Sequence, residues 1–193
     1  MDWRTPVTLT GKFVRLEPLG ETHVSGLTAA GAGDESIWKH MLYGDIQNEG
    51  DMFGWVRDIL ARPDLPYAVI HLETGQLAGA TRYLNISPEH RGLEIGGTWY
   101  GADFRRTVVN TECKYLLLKY AFETLGCIRV QFKTDLRNVH SQRAIERIGA
   151  KCEGVLRNHM ILPDGKYRDS VFYSILNSEW PVVKKKLEKM LAS

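Results

Sequence analysis

The sequence predicts an α/β fold: a central sheet of mixed strand pairing with helices packed on it. Three observations carry that reading. Hydrophobic patterns of period two and period 3.6 alternate along the chain in the order βααβββαβαββ, followed by a terminal helix. Near the centre, one strand–helix–strand unit is uninterrupted. Before and after it, short polar turns join strands that follow one another directly, as in a meander.

The elements follow in chain order. "KFVRLEPL" alternates and meets Pro18, so it reads as the first strand. A helix is expected near His23–Ala30, closed by Gly31 and Gly33. "SIWKHMLYGDI" is aromatic-rich without clean periodicity and reads as an ordered loop or short helix. "DMFGWVRDILARP" places Phe53, Val56, Ile59 and Leu60 close to helical spacing, with Asp51 to start the helix and Pro63 to stop it. Three strands come next, "YAVIHL", "LAGATRYLNI" and "LEIGGTWYG", separated by "TGQ" and "SPEHRG". Gly96 and Gly97 lie inside the third strand, where paired glycines mark a bulge or a close backbone approach. A long helix is predicted from Asn110 to Leu125, with Cys113, Leu116, Leu117, Tyr120 and Ala121 on one face and Gly126 ending it. "CIRVQFKTD" is a strand and "NVHSQRAIERIG" a helix. "KCEGVLRNHMIL" and "YRDSVFYSIL" are strands joined by a "PDGK" turn. A basic helix over about 178–191 completes the chain.

The 193 residues suit one domain, 1–193, with enough chain to bury a substantial core. A net charge of +2 argues against a dedicated nucleic-acid binder. Cys113, Cys127 and Cys152 are odd in number, lack C-x-x-C spacing and sit in apolar surroundings, so they read as buried thiols in a reducing compartment. No apolar stretch approaches the ~18 residues of a membrane span, and "MDWRTPVTLTG" lacks a signal peptide's apolar core. The cytoplasm is the expected location. The six histidines lack H-x₃-H spacing, so no metal is implied, and His140 and His159 are expected at or near the surface.

Two stretches concentrate polar groups where chemistry needs them. In "FRRTVVNTECKYLLLKYAFETLG", Arg105 and Arg106 stand beside a predicted helix start. The first N–H groups of a helix lack internal partners and carry partial positive charge, so phosphates bind there readily. The arginines would add charge-assisted bonds, and Asn110 and Thr111 would cap the helix or donate from its first turn. Such a site suits a pyrophosphate; a solvated arginine pair beside an ordinary cap is the alternative. In "RNVHSQRAIERIGA", Asn138 and Ser141 top the stripe formed by Ala144, Ile145 and Ile148. They face the sheet end where α/β proteins collect ligands, although Asn138 also suits a helix cap and Ser141 a structural serine.

The run from Glu94 to Trp180 resembles the GNAT superfamily of acyl-CoA-dependent N-acetyltransferases, in particular the branch of ribosomal-protein N-terminal acetyltransferases. The residues that carry it are "LEIGGTWYGADFRRTVVNTECKYLLLKYAFETLGCIRVQFKTDLRNVHSQRAIERIGAKCEGVLR", "GKYRDSVFYSIL" and "EWP". The N-terminal element order also fits, so the likeness covers nearly the whole chain. It implies a largely antiparallel sheet with helices on both faces and a splayed parallel pair, "LEIGGTWY" and "CIRVQFKT", forming an acyl-CoA cleft. The resemblance further implies that acetyl-CoA binds as the acyl donor, its pyrophosphate on Arg105, Arg106, Thr107, Val108, Val109, Asn110 and Thr111. Asn138 would bond the pantetheine, and Ser141 would stand near the sulfur. The family's phosphate loop, Q/R-x-x-G-x-G/A, is matched only by Arg105. Val108 and Asn110 replace the small residues, which shifts contacts to the Asn110 and Thr111 side chains.

The chemistry implied is direct attack of a primary amine on the thioester in a ternary complex. Glu94 is the expected base, directly or through a water, and Ser141 the hydrogen-bond donor to the leaving thiolate. A backbone N–H beside the bulge would stabilise the oxyanion. Trp38, Tyr43 and Asp45 are expected to shape the acceptor pocket, with Trp38 equally suited to the core. Candidate acceptors are a peptide N-terminus, a lysine, a polyamine, an amino acid or an amino sugar. A homodimer is left open. The rival readings are a non-catalytic acyl-CoA-binding protein and a phosphate- or nucleotide-binding module.

Overall fold

The computed structural model describes residues 2–192. Eight strands form one sheet: β1 (Leu9–Thr10), β2 (Val14–Pro18), β3 (Leu65–His71), β4 (Leu77–Ser87), β5 (Gly92–Tyr100), β6 (Arg129–Asp135), β7 (Lys151–Ile161) and β8 (Tyr167–Leu176). Their spatial order is β1-β2-β3-β4-β5-β6-β8-β7. Every neighbouring pair is antiparallel except β5 and β6, which run parallel.

Six α-helices cover the sheet: α1 (Val24–Gly31), α2 (Glu35–Trp38), α3 (Glu49–Leu60), α4 (Val108–Lys119), α5 (Val139–Arg147) and α6 (Trp180–Ala192). On one face, α4 and α6 bury Cys113, Leu117, Trp180, Val183 and Leu187 against Tyr83, Ile95, Phe132 and Tyr173. On the other, α1 and α3 bury Leu27, Met52, Trp55, Val56 and Ile59 against Ala68, Ala80 and Trp99. The predicted mixed α/β sheet with helices on both faces is therefore observed. Among the described residues, no helix is long and apolar enough to cross a membrane.

Several local expectations need correction. Helix α3 begins after Asn48, whose side chain accepts from the Asp51 N–H, while the Asp51 carboxylate accepts from the Asn48 N–H. Asp51 thus completes the cap from the third helical position. The buried face of α3 is Met52, Trp55, Val56 and Ile59; Phe53 and Leu60 face solvent. Helix α4 starts two residues before Asn110, because the Thr107 hydroxyl caps it by accepting from the Val109 N–H. Beyond Lys119 the helix widens over 120–124, and the Leu125 N–H reaches the Tyr120 carbonyl five residues back. Cys113 and Cys127 are buried, but Cys152 is exposed on the edge strand β7.

Helix α4 is also tied to the first hairpin by a buried carboxylate. Glu112 accepts from the backbone N–H groups of Lys12 (2.8 Å), Phe13 (2.6 Å) and Val14 (2.7 Å). Gly11 leaves room for it, since a β-carbon there would lie 2.4 Å from the Glu112 carboxyl carbon. This lock fixes the helix over the strands that form the site.

Candidate active site

The parallel pair separates as it runs. Strands β5 and β6 are in register only at Gly92–Arg129, Leu93–Val130 and Glu94–Gln131. Past Glu94, β5 stays with β4 and β6 stays with β8, so the facing edges no longer pair. The glycine pair explains the divergence of β5. Ala80 opposes Trp99 while Arg82 opposes Gly96, which leaves one extra residue on β5. Gly97 sits there at φ +57°, a left-handed conformation that side chains disfavour. A β-carbon at Gly97 would also lie 2.9 Å from Arg82 Nε.

Glu94 stands at the vertex and is 2% exposed. Its Oε2 accepts from Asn85 Nδ2 (3.0 Å) and Gln131 Nε2 (2.9 Å), and its Oε1 lies 3.3 Å from Lys133 Nζ. A carboxylate offers about four lone-pair sites. Three are engaged, which leaves one for a proton or a water. Asn85, Gln131 and Lys133 belong to no motif in the sequence. Strand alternation was the available signal, because Gln131 and Lys133 share the β6 face opposite the core residues Val130 and Phe132.

On the face carrying α4, the bulge meets a hydroxyl chain. Lys114 Nζ donates to Thr98 Oγ1 (2.6 Å), which lies 2.8 Å from Thr81 Oγ1. Lys114 is buried with no carboxylate in contact among the described residues, and burial pulls its pKa down to about 8. At the N-terminal end of α4, the N–H groups of the first turn have no intrahelical acceptors. Arg106 is exposed in this connection and adopts φ +61°.

Arg105 behaves differently from its neighbour. Its three nitrogens engage the Tyr100 carbonyl, the Ser36 hydroxyl and the Asp34 carboxylate. It cross-links the β5–α4 connection to the start of α2, so a role as a free anion ligand is corrected to a tether. Thr111 is buried within α4 and accepts from Arg147 Nη2 (3.0 Å), so it does not cap the helix. Val108 is exposed, Val109 is buried in the core, and Asn110 is half-buried in the first turn.

Asn138 caps α5, with Oδ1 accepting from the Ser141 N–H at 3.0 Å. The cap leaves the Asn138 Nδ2 donors unspent among the described residues. Ser141 is half-buried one turn above Ile145, which is buried.

On the α1–α3 side, Trp38 is a core residue at 1% exposure. Its indole packs 5.2 Å from Trp99 and 6.1 Å from Trp55, and its Nε1 donates to the Gly31 carbonyl at 2.9 Å. The α2 turn drives it inward, which corrects its placement in an acceptor pocket. The Tyr43 hydroxyl accepts from Arg82 Nη2 and is half-buried, whereas Asp45 is exposed. Glu94 and Gly97 thus lie along β5 at the split, the connections to α4 and α5 follow the two parted strands, and Arg82 on β4 bonds Tyr43. Trp38 and Asp45 stand apart.

A family model described as an acetyltransferase (GNAT) domain matches residues 14–151. The chain is 34% identical over 109 residues to "Putative ribosomal N-acetyltransferase YdaF" of Bacillus subtilis (strain 168), covering 56% of this chain and 58% of that protein. It superposes on a GCN5-related N-acetyltransferase from Brucella melitensis with a TM-score of 0.91 and 30% identity, over 96% of this chain and 85% of that one. The Mycobacterium smegmatis protein RimJ, solved in complex with CoA-disulfide, shares the fold at a TM-score of 0.78 and 18% identity, over 97% and 95% of the two chains.

Proposed function

Because this chain belongs to the acetyltransferase (GNAT) domain family, we propose that it is an N-acetyltransferase acting by direct attack of a primary amine on acetyl-CoA in a ternary complex. The observation that carries this reading is the split between β5 and β6 with a buried carboxylate at its vertex. The unpaired β5 edge suits a pantetheine arm, whose amides need backbone partners. Arg106 and the first-turn N–H groups of α4 suit the pyrophosphate. The Nδ2 group of Asn138 suits a pantetheine carbonyl without giving up the cap.

The cosubstrate supplies an activated thioester; the residues of this chain supply proton management and charge. Glu94 takes the proton of the attacking amine, directly or through one water, at its remaining lone-pair site. A backbone N–H at the Gly97 bulge faces the developing oxyanion. The Ser141 hydroxyl donates to the departing sulfur. Cys113 and Cys127 are unsuited as nucleophiles, because burial raises both thiols, Cys127 to about 12. The name of the Bacillus subtilis relative, with its words "ribosomal N-acetyltransferase", favours an amine of a ribosomal protein as the acceptor, and the cytoplasm is the corresponding setting.

The test is a panel of peptide N-termini, lysine, polyamines, amino acids and amino sugars, read by release of free thiol from acetyl-CoA. Glu94→Gln should lower kcat/KM by roughly 10²–10⁴-fold, with acetyl-CoA affinity changed only a few-fold. Tight acetyl-CoA binding with no thiol release from any amine would leave a non-catalytic acyl-CoA-binding protein.

A further inference from the structure

Two buried arginines lie on the face of the sheet opposite α4. Arg82 lies on β4 and is 7% exposed; Arg168 lies on β8 and is 6% exposed. Strand alternation explains their placement. On β4, Tyr83 points into the α4 core, so its neighbour Arg82 takes the other face. On β8, Val171, Tyr173 and Ile175 point into that same core, so Arg168 and Ser170 take the other face as well.

Neither guanidinium is satisfied by the protein. Arg82 gives Nη2 to the Tyr43 hydroxyl, holds Asp64 only at a long 3.5 Å from Nη1, and leaves Nε without a partner. Arg168 gives Nη1 to the His40 carbonyl at 3.3 Å, also long, and leaves Nε without a partner. Arg168 has no carboxylate within ion-pair distance among the described residues. Asp135, which acts on it electrostatically, is bound instead by Arg137 through its backbone N–H (2.8 Å), Nε (3.0 Å) and Nη2 (2.7 Å). Unspent donors on a buried cation are costly unless a partner arrives. Glu94 shares this face, because Leu93 and Ile95 on either side of it point into the α4 core.

We propose that this side of the cleft is a carboxylate receptor: Arg82 and Arg168 select an acceptor that carries a carboxylate within a few bonds of its reacting amine. The inference rests on the acetyl-transfer reading and names its substrate class. The amine is drawn to the Glu94 carboxylate, which takes its proton, while the acceptor's carboxylate meets an arginine on the wall. The shared chemistry is an amine with a nearby carboxylate. A free α-amino acid and a peptide with an acidic residue behind its N-terminus both present it.

Two ligand pairs separate these sources: alanine against alaninamide, and two hexapeptides differing only in Glu or Gln at the second residue. Each is titrated calorimetrically onto the protein saturated with CoA, so the readout does not require turnover. The carboxylate member of at least one pair should bind at least tenfold more tightly than its amide, and Arg168→Gln or Arg82→Gln should cut that ratio at least fivefold. Arg168→Lys should retain part of it, and CoA affinity should stay within twofold. Equal affinities within both pairs, or no binding by any of the four, would overturn the proposal and leave water as the partner of these N–H groups. The wild-type ratios decide the matter even if a variant fails to fold. Carboxylate-selective binding without thiol release would sink the acetyl-transfer reading and leave the receptor standing.

Discussion

At the residue scale, adjacent identical residues take different roles. Arg105 is spent on Tyr100, Ser36 and Asp34, while Arg106 is exposed at positive φ. Arg105→Ala should therefore act on stability, by about 1 kcal/mol because the Asp34 pair is partly exposed, with a small change in the KM for acetyl-CoA. Arg106→Ala should leave the melting temperature nearly unchanged and raise that KM about fivefold, more at low salt than at high. Thermal melts beside KM values at two salt concentrations check both. Asn138 permits a cleaner separation. Asn138→Ala loses the cap, at about 1 kcal/mol of stability. Asn138→Asp keeps a capping oxygen but loses the Nδ2 donor, so it should melt like the wild type and still raise the KM for acetyl-CoA several-fold. Equal KM values for Asp and Asn would assign the residue to capping alone.

At the element scale, α4 joins the two halves of the site. It follows β5 in the chain, Glu112 locks it to the first hairpin, and Lys114 reaches the bulge. The buried Lys114 makes a pH prediction. Its folded pKa, about 8, lies below the ordinary value of 10.5, so between these values the unfolded chain binds more protons. Stability attributable to this group must then rise with pH across that window and stay level below about 8. Lys114→Met removes the effect. The variant should be more stable than the wild type at pH 7, by about 3 kcal/mol at most, and the gap should close toward pH 10.5. Chemical denaturation of both proteins at pH 7, 8.5 and 10 checks the sign; a gap that widened with pH would contradict the burial argument. The existence of α4 was legible because Cys113, Leu117 and Ala121 recur at helical spacing. Its first residue was not, because Thr107, Asn110 and Thr111 are all acceptable caps by residue type. Backbone conformation chose among them.

At the scale of the whole molecule, burial decides which groups of the same type are reactive. Cys113 lies on the buried face of α4 and Cys127 near the start of β6, both within the core, while Cys152 lies on an edge strand. An aromatic disulfide reagent at neutral pH should titrate one thiol in the native protein and three after denaturation. Two or more fast thiols in the native state would mean that the α4 core opens readily. The same sorting explains the aromatic segment before α3. Trp38 was equally suited to a pocket wall or a core, and contact with Trp55 and Trp99 decides for the core.

What the sequence determined by itself was the architecture and the location of its irregular point. Alternating periods specify which segments are strands and helices, because side-chain direction follows backbone period alone. Gly96 and Gly97 mark the bulge, because only a residue without a β-carbon takes that backbone path cheaply. Glu94 was legible as a candidate because it precedes that point on the same strand. Its partners Asn85, Gln131 and Lys133 were not, nor were the unspent donors of Arg82 and Arg168. Those facts belong to the tertiary structure. Whether a polar side chain is paired depends on which distant strands stand beside it, and the strand order β4-β5-β6 brings Asn85 and Lys133, 48 positions apart in the sequence, onto the one carboxylate of Glu94.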